Sequence, residues 1–441
     1  MSQLSQSSGM CWQPCHHQLL FSLFLTQLDS SDSIKNKDKE LYLPRYIYMK
    51  TINQIDFSEK KAFVRVDFNV PFDAAGQISD NSRIVAALPT IKHILSSGGS
   101  CILASHLGRP KGKTKDLSLS KLVPELEKLL STKVLFSDDC IGEKTESQCS
   151  RLKPGEVILL ENLRFYKEET NADESFAKKL SNLAEIYVND AYGTTHREHA
   201  STSTMAKFFD LKSPGILLEN EIASLKKLMD NPSGPVTAII GGAKVSSKIS
   251  VIANMLDVVD NLIIGGGMAY TFIKNKGGAI GESIFEKDKL NDCSEIISLA
   301  EQKNVNVFLP EDVVASNEFS NEGLKKAVNI YNIPKGWQGL DIGPLTISKF
   351  KKIVTESKTI LWNGPMGVFE MPSFEQGTLA IAKSVARATS NGAFSLIGGG
   401  DSVAAIKKFN LQDEVSFIST GGGAMLESLE GKILPGIKVL N

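Results

Sequence analysis

Short apolar runs alternate with longer amphipathic stretches from residue 60 to the C-terminus. This alternation is typical of β-α-β units, whose parallel strands are buried on both faces by helices. The runs predicted as strands cover residues 62–66, 101–104, 157–160 and 186–188 in the first half, and 236–240, 262–264, 305–309, 359–362, 394–397 and 415–418 in the second. Helices are predicted between most of them, for example at 83–95, 120–130 and 374–389. The pattern predicts an α/β fold with parallel sheets.

Residues 213–233 join the two series of strands. They hold a Pro-Gly pair, then apolar residues at helical spacing, then a Pro/Ser/Gly break at 232–234. We interpret the segment as a helix that connects two domains. The chain length of 441 residues agrees with two domains. Single hydrophobic cores usually stop growing near ~250–300 residues.

The composition narrows the class of protein. Apolar residues make up 42% of the chain and charged residues 22%, and the formal net charge is -1. These values are ordinary for a globular protein, and they favour neither nucleic acid nor a membrane surface as a partner. The six cysteines are too sparse for a disulfide framework, so we expect a reducing, cytoplasmic location. A cluster of Cys11, Cys15, His16 and His17 lacks a second pair at zinc-site spacing and is interpreted as inert.

Residues 1–48 differ from the rest of the chain. Their apolar run, 19–28, is shorter than a membrane span and lacks the flanks of a secretory signal. Two interpretations stay open: a disordered leader, or an over-long translation start with Met49 as the true one.

Polar and cationic residues follow the predicted strands of the first half. They are Asp67-Phe68-Asn69, Ser105-His106-Leu107-Gly108-Arg109, Glu161-Asn162-Leu163-Arg164, and Asn189 to Tyr192 leading to His196-Arg197-Glu198-His199. Arg83 opens the first helix. Ligands of open parallel sheets bind beyond the carboxyl ends of strands. Any one arginine alone is better interpreted as a solvated surface residue or part of a structural salt bridge, but together at one sheet edge they predict a site for a small polyanion.

Glycines follow the predicted strands of the second half. The segments are Gly241 to Lys248, Gly265 to Gly267, Asn363 to Gly367, Gly398 to Ser402 and Ser419 to Gly423. Such loops before helices let backbone N–H groups approach phosphate oxygens, although a single one also suits a tight turn. Several of them, with Lys244 and Lys248, predict a nucleotide site. Asp401 is a candidate partner for a phosphate-bound magnesium ion, or a helix N-cap.

Two common phosphate motifs are absent from the sequence. Residues 108–114 resemble a P-loop, but three residues stand between the glycines where the motif needs four. No GxGxxG follows a predicted strand, which weakens the alternative of a dinucleotide-dependent dehydrogenase.

Nine segments, in order, resemble the phosphoglycerate kinase family. They are RVDFNVP at 65–71, SHLGRP at 105–110, ENLRF at 161–165, NDAYGTTHREHAS at 189–201, GGAKVSSKI at 241–249, GGGMAYTF at 265–272, WNGPMGVFE at 362–370, GGGDS at 398–402 and STGGGAMLESLEGKILPG at 419–436. Tyr192 and Ser247 depart from the Phe and Asp of many relatives.

The resemblance implies two doubly wound domains joined by a helical hinge, acting as a monomer. Their implied extents are 49–218 for 3-phosphoglycerate, 219–428 for ATP or ADP with Mg²⁺, and 429–441 for a segment that returns to the first domain. The substrate residues it implies are Asp67, Phe68, Asn69, Arg83, His106, Leu107, Gly108, Arg109, Arg164 and Arg197, with His196 and His199 near them. The nucleotide residues it implies are Lys244, Lys248, Gly266, Gly343, Glu370, Gly399, Gly400, Asp401 and Ser402.

The acceptor in such a reaction is a carboxylate, which is ionised at neutral pH and needs no general base. Catalysis is then positioning and charge stabilisation. We expect Arg83 and Lys248 to neutralise the transferring phosphoryl group, with backbone N–H groups near Gly400 and Gly422. A two-domain binding protein without catalysis is the alternative of a different class.

Overall fold

A computed structural model of the chain describes residues 49–441. The predictions made for residues 1–48, and for the Cys/His cluster within them, lie outside the described residues. The described part contains two α/β domains, each built on a six-stranded sheet. The parallel α/β fold expected from the alternation of apolar runs is confirmed.

The strands of the described residues are labelled in chain order. They are β1 (Lys61–Arg65), β2 (Ser100–Ala104), β3 (Val134–Phe136), β4 (Val157–Leu159), β5 (Ile186–Asn189), β6 (Leu211–Pro214), β7 (Val236–Ile240), β8 (Asn261–Ile264), β9 (Ala279–Ile280), β10 (Asn306–Phe308), β11 (Asp312–Ser316), β12 (Lys325–Asn329), β13 (Asn332–Ile333), β14 (Gln338–Ile342), β15 (Thr359–Asn363), β16 (Phe394–Gly398) and β17 (Phe417–Ile418).

The α-helices are labelled in the same way. They are α1 (Ser82–Ser96), α2 (Val123–Leu130), α3 (Glu143–Ser150), α4 (Lys167–Thr170), α5 (Glu174–Ser181), α6 (Ile216–Met229), α7 (Ile249–Met255), α8 (Ala269–Asn275), α9 (Leu290–Gln302), α10 (Pro344–Glu356), α11 (Gln376–Ser390), α12 (Gly400–Lys408), α13 (Gly422–Leu429) and α14 (Pro435–Lys438).

Both large sheets are doubly wound. The first has the order β3-β4-β2-β1-β5-β6 and the second β10-β8-β7-β15-β16-β17, with every neighbouring pair parallel. In each sheet the chain first builds one side of a central strand and then returns to that strand's other side. The order therefore reverses between β1 and β5 and between β7 and β15. Crevices at such switch points are where open parallel sheets bind ligands.

Burial explains why these strands were recognisable. Every residue of β2, β5, β7 and β15 is buried, which is the continuous apolar pattern of strands covered on both faces. The edge strand β3 was not predicted, since it is short and only Val134 of it is buried.

A smaller antiparallel sheet, of order β12-β11-β14, was also not predicted. Strand β12 reads Lys-Lys-Ala-Val-Asn and is largely exposed, so it offers no apolar pattern. Hydrogen bonding to β11 imposes the extended conformation there in place of local preference.

One predicted helix begins later than expected. The stretch 120–130 forms a 3₁₀ turn at Leu119–Leu122 and then α2. Pro124 lies in the first turn of α2, where its missing N–H costs nothing. Inside a longer helix the same proline would clash with the preceding turn.

The connecting helix lies within the predicted segment, as α6. Leu218, Ile222, Leu225 and Leu228 are buried along it, at the helical spacing seen in the sequence. Near the C-terminus, Gly436 N donates to Thr195 O at 2.8 Å, and Asn189 Nδ2 donates to Gly436 O at 3.0 Å. The last helix therefore contacts the loop that follows β5 in the first domain.

Candidate active site

A depression of about 220 Å³ lies at the switch point of the first sheet. We call it the basic pocket; its lining residues are Asp67, Asn69, Arg83, His106, Gly108, Arg109, Arg164, Gly193, Thr194 and Arg197. They come from the loop after β1, the start of α1, the loop after β2, the loop after β4 and the loop after β5. The structure therefore brings together most of the substrate residues that the sequence suggested.

Hydrogen bonds order the loops of this pocket. Arg83 Nη1 donates to Asp67 Oδ2 at 2.9 Å and to Asn69 O at 3.2 Å. Asn69 Oδ1 accepts from Gly108 N at 2.8 Å, and Gly108 O accepts from Arg164 Nη1 at 2.8 Å. Arg83 and Arg164 are thus held by neighbouring loops, which limits the entropy that these two side chains lose when a ligand binds.

The basic pocket carries excess positive charge. Burial, with Arg65 and Arg197 nearby, lowers the pKa of Arg164 to about 10. Its buried Nε has no hydrogen-bond partner among the described residues. Burial and neighbouring arginines also hold the pKa of His106 well below its usual range and lower the pKa of His199 to about 4. A bound polyanion would relieve this repulsion and supply the missing acceptor.

Arg65 supports the pocket and was not singled out from the sequence. It is the last residue of β1 and fully buried. Its Nε donates to Ser201 Oγ at 2.8 Å, and its Nη2 lies 3.4 Å from His106 Nδ1. A charged residue inside an otherwise apolar strand was the available signal, because buried arginines need dedicated partners.

Two suggested substrate residues lie behind the pocket rather than in its lining. The side chains of Phe68 and Leu107 are buried. Phe68 N donates to Ser105 Oγ, and Leu107 N donates to Asn162 Oδ1. Both backbones shape the loops, but neither side chain is available to a ligand in this arrangement.

A second depression, of about 410 Å³, lies at the switch point of the second sheet. We call it the glycine pocket; its lining residues are Gly241, Gly242, Ala243, Lys244, Ser247, Lys248, Asn363, Gly364, Gly399, Gly400, Asp401, Ser402, Gly422, Gly423 and Leu426. The helices α12 and α13 both begin at this pocket. Their free N–H groups and positive ends favour phosphate.

Lys248 and Asn363 bridge the switch point of the second sheet. Lys248 Nζ donates a hydrogen bond to Asn363 Oδ1, which connects the loop after β7 to the end of β15. Burial lowers the pKa of Lys248, although the nearby Asp401 opposes the shift. The buried Nδ2 of Asn363 has no hydrogen-bond partner among the described residues. A ligand oxygen in the glycine pocket would satisfy that donor.

Gly399 shows why glycine is needed before α12. Its φ is +86°, a conformation that residues with a side chain rarely adopt. The turn lets β16 pass directly into α12 and leaves Gly400 with open space beside it. A ligand oxygen can therefore approach the helix N-terminus closely.

A third depression, of about 240 Å³, adjoins the glycine pocket, and Asp401 lines both. We call it the side pocket. Its lining includes the apolar residues Ile284, Phe319, Leu340 and Val368, together with Gly266 and Glu370. An apolar slot beside a phosphate site suits a nucleotide base. The suggested residue Gly343 lines neither of these pockets. It precedes α10, and a Cβ there would clash with the Asp312 carboxylate.

The two domains touch beside the pockets. A Cβ on Gly421 would lie 2.8 Å from Gly193 Cα, so the backbones of the two loops pack directly. Glu221 of α6 accepts hydrogen bonds from Thr420 N at 2.6 Å and from Thr420 Oγ1 at 2.8 Å. The connecting helix thus holds the loop that leads into α13.

Two α/β domains, with a cationic pocket on one and helix N-termini with a lysine on the other, define a two-domain phosphotransferase. The comparisons with known proteins identify the family. Residues 52–432 match the family model described as phosphoglycerate kinase. The chain therefore belongs to the phosphoglycerate kinase family.

Several relatives share nearly their full length with the chain. The phosphoglycerate kinase of Porphyromonas gingivalis is 48% identical over 88% of the chain and 99% of that protein. The cytosolic enzyme of Triticum aestivum is 51% identical over 89% of the chain and 98% of that protein. A solved structure of phosphoglycerate kinase from Coxiella burnetii has a TM-score of 0.82 and 40% identity, over 89% of the chain and 98% of that structure.

These findings confirm the family resemblance, the two parallel-sheet domains and the kinase activity expected from the sequence. The dehydrogenase alternative and the binding-protein alternative lose their basis. Relatives occur in more than one compartment, since one is named cytosolic and another, from Arabidopsis thaliana, chloroplastic. Within residues 49–441, no helix is long and apolar enough to cross a bilayer.

Proposed function

We propose that the chain transfers a phosphoryl group reversibly between ATP and the carboxylate of 3-phosphoglycerate, the phosphoglycerate kinase step of glycolysis. A carboxylate oxygen bonds to the γ-phosphorus while the bond from that phosphorus to the bridging oxygen of ADP breaks. The products are 1,3-bisphosphoglycerate and ADP. The observation that carries the assignment is the pair of anion-binding pockets on two contacting domains of a phosphoglycerate kinase family member.

The acidic substrate would occupy the basic pocket. Arginine forks match the paired oxygens of phosphate and carboxylate groups. The residues proposed to hold it are Asp67, Asn69, Arg83, His106, Gly108, Arg109, Arg164 and Arg197, with Phe68 and Leu107 contributing backbone only. The unpartnered Nε of Arg164 supports this, because a buried guanidinium donor is costly to leave without an acceptor.

The nucleotide would occupy the other two pockets. Its phosphates would lie in the glycine pocket, on Lys244, Lys248 and the backbone from Gly399 to Ser402. The side pocket would take the base, with Gly266 beside it and Glu370 reaching the ribose. Gly343 would contribute only by ordering the start of α10.

Magnesium would arrive bound to the nucleotide. Mg²⁺ typically takes one or two carboxylates together with phosphate oxygens and water. The described residues contain no cluster of three or more His, Cys, Asp or Glu side chains suited to a metal ion. The single carboxylate of Asp401 beside the glycine pocket fits an ion held mainly by the phosphates, whose charge it would help to neutralise.

The catalytic step needs charge stabilisation rather than a base. Arg83 and Lys248 would neutralise the oxygens of the transferring group from opposite sides. Backbone N–H groups of Gly400 and Gly422, at the starts of α12 and α13, would add to this. Asn363 would keep the Lys248 amine aimed at the phosphates.

We propose that the substrate domain covers residues 49–218, the nucleotide domain 219–428 and the returning segment 429–441. The two domains would close by hinge bending around residues 213–233. Each ligand binds a different domain, so closure would bring the reacting atoms together and exclude water. We also propose that the protein is a cytoplasmic monomer without nucleic-acid or membrane partners.

One assay tests the proposal directly. Purified protein is incubated with ATP, Mg²⁺ and 3-phosphoglycerate. A coupling dehydrogenase consumes the 1,3-bisphosphoglycerate and oxidises NADH. The expected result is NADH oxidation that needs all three components and the coupling enzyme. ATP turnover without 3-phosphoglycerate, or none with it, would refute the proposal.

A further inference from the structure

A salt bridge joins the two domains through residues that line none of the three pockets and lie outside the connecting helix. Lys407 Nζ, near the end of α12, lies 2.7 Å from Asp80 Oδ2 and donates to Ser82 Oγ at 3.0 Å. Asp80 is in turn ordered, because its Oδ1 accepts from Ser82 N at 2.8 Å. We call Lys407, Asp80 and Ser82 the clasp.

The clasp differs from the other ion pairs of residues 49–441. All of the others join two residues of the same domain, as Lys349 and Glu311 do, or of the C-terminal segment, as Lys432 and Glu430 do. Asp80 and Ser82 precede Arg83 at the start of α1, in the first domain. Lys407 belongs to the second domain. Separating the domains would therefore break this pair, whereas it would leave the other pairs intact.

The two elements that the clasp connects both carry groups of the proposed reaction. Ser82 directly precedes Arg83, which lines the basic pocket. Lys407 stands on the helix whose first residue, Gly400, lines the glycine pocket. A nine-residue helix is a rigid rod of roughly 12–14 Å, so fixing its end to the start of α1 also fixes its N-terminus relative to Arg83.

Asp80 is ionised at neutral pH. Partial burial opposes ionisation of Asp80, but hydrogen bonds from Lys407 and Ser82 outweigh it and lower its pKa to about 2. The side chains of Lys407 and Asp80 are 39% and 42% exposed. An exposed pair changes an equilibrium by only about 2- to 5-fold and is screened by salt. That is enough to shift a domain-closure equilibrium in which both states are populated.

We propose that Lys407 and Asp80 are positioning residues, which favour the closed arrangement of the domains and align Arg83 with the start of α12. This inference rests on the proposed function, because alignment matters only if phosphate moves between the two pockets. Neither residue lines any of the three pockets. Both act through the elements on which they stand.

Charge reversal tests the clasp. The variants are Lys407→Glu, Asp80→Lys and the double exchange Asp80→Lys/Lys407→Glu, compared with wild type at low and high NaCl. We expect each single reversal to lower kcat/KM for 3-phosphoglycerate by about 3- to 10-fold at low salt. The double exchange should recover to within about twofold of wild type. High salt should reduce the difference in kcat/KM between each single variant and wild type, because it screens the repulsion that each reversal creates.

The matched control is the pair Lys349 and Glu311, which lies within the second domain and is 42% and 50% exposed. The variants Lys349→Glu and Glu311→Lys should keep wild-type kcat/KM. A second measurement, small-angle scattering of the ligand-free proteins, reads closure without any activity. Single reversals at the clasp should increase the radius of gyration, and the control variants should not.

The outcomes separate the clasp from the proposed function. An inactive wild-type protein would refute the function, while scattering would still report on the clasp. Unchanged kcat/KM and unchanged scattering in the single variants would overturn the proposed positioning role of the clasp. So would a double exchange that is no better than the worse single variant.

Discussion

Arg83 Nη1 lies 2.9 Å from Asp67 Oδ2, so a carboxylate already holds the cation that we place opposite the nucleotide. Asn69 O accepts a second hydrogen bond from the same nitrogen. An arginine side chain in water samples many rotamers, and these two acceptors restrict it to one direction. Asp67 places a negative charge in a pocket for an anion, and its contact orients the Arg83 guanidinium.

Asp67→Ala should therefore reduce catalysis by misplacing Arg83. We expect kcat to fall about 10- to 100-fold, because small errors in the position of a catalytic group can cost that much. Steady-state kinetics in the coupled assay measure the effect. Asp116→Ala, at an exposed position of the first domain, is the control and should match wild type. An unchanged kcat for Asp67→Ala would show that Arg83 needs no anchor.

Asn363→Ala tests the bridge across the second switch point. The change removes the acceptor of Lys248 Nζ and the free Nδ2 donor. We expect kcat to fall at least about 10-fold, with Asn391→Ala, at an exposed position, behaving as wild type. Equal kinetics in the two variants would show that Asn363 does not contribute to catalysis.

His106, which lines the basic pocket, and His199, which lies near its arginines, predict a pH dependence of anion binding. Burial and neighbouring arginines lower the pKa of His106 and His199, so both are neutral at neutral pH when no anion is bound. A bound anion favours the protonated form and raises these pKa values. Binding must then take up protons and strengthen as the pH falls from 7 towards 5.

Sulfate is a suitable probe because it keeps its charge across this range. Isothermal titration calorimetry in two buffers of different ionisation enthalpy measures the proton uptake. His199→Gln should reduce the uptake. Sulfate affinity that is independent of pH, with no proton uptake, would contradict the electrostatic account of this pocket.

Glu221 predicts a loss of stability as the pH rises. Burial raises its pKa to about 7, from 4.5 for a free side chain, despite hydrogen bonds from Thr420. Its stabilising contribution is complete below pH 4.5 and is lost as the pH rises through about 7. The full loss would be at most about 3 kcal/mol. Asp190 and Asp341, whose pKa values burial also raises to about 7, add to the same trend.

Urea unfolding at pH 5 and pH 8 checks this prediction. In wild type the urea concentration at the unfolding midpoint should be lower at pH 8 than at pH 5. In Glu221→Gln this decrease should be smaller. Glu301→Gln, at an exposed position, is the control and should follow wild type. A Glu221→Gln protein with the full wild-type pH dependence would show that Glu221 does not titrate in this range.

The parallel sheets could be predicted from the sequence because burial on both faces leaves continuous apolar strands. The antiparallel sheet could not, since β12 is mostly exposed and takes its form from pairing with β11. The role of Arg65 could not be predicted from a local pattern either. Its role depends on Ser201 and His106, which are far away in the sequence and meet it only in the folded chain.

The candidate site divides in the same way. Residues at strand ends could be located from the sequence because the topology brings strand ends to one edge. Gly343 also follows a strand, β14, yet that strand belongs to the antiparallel sheet rather than to the six-stranded one. Asn363 became significant only through its contact with Lys248. Contacts of this kind depend on side-chain geometry that no local pattern records.

The kinetics of Arg83→Ala test most directly whether two opposed cationic groups stabilise the migrating phosphate. Loss of one preorganised contact to the transition state typically costs about 10²–10³ in kcat. We predict a fall of that size, with the KM for 3-phosphoglycerate changed less than about 5-fold, and only partial recovery in Arg83→Lys. A raised KM with kcat intact would make Arg83 a substrate-binding residue alone and would contradict the account.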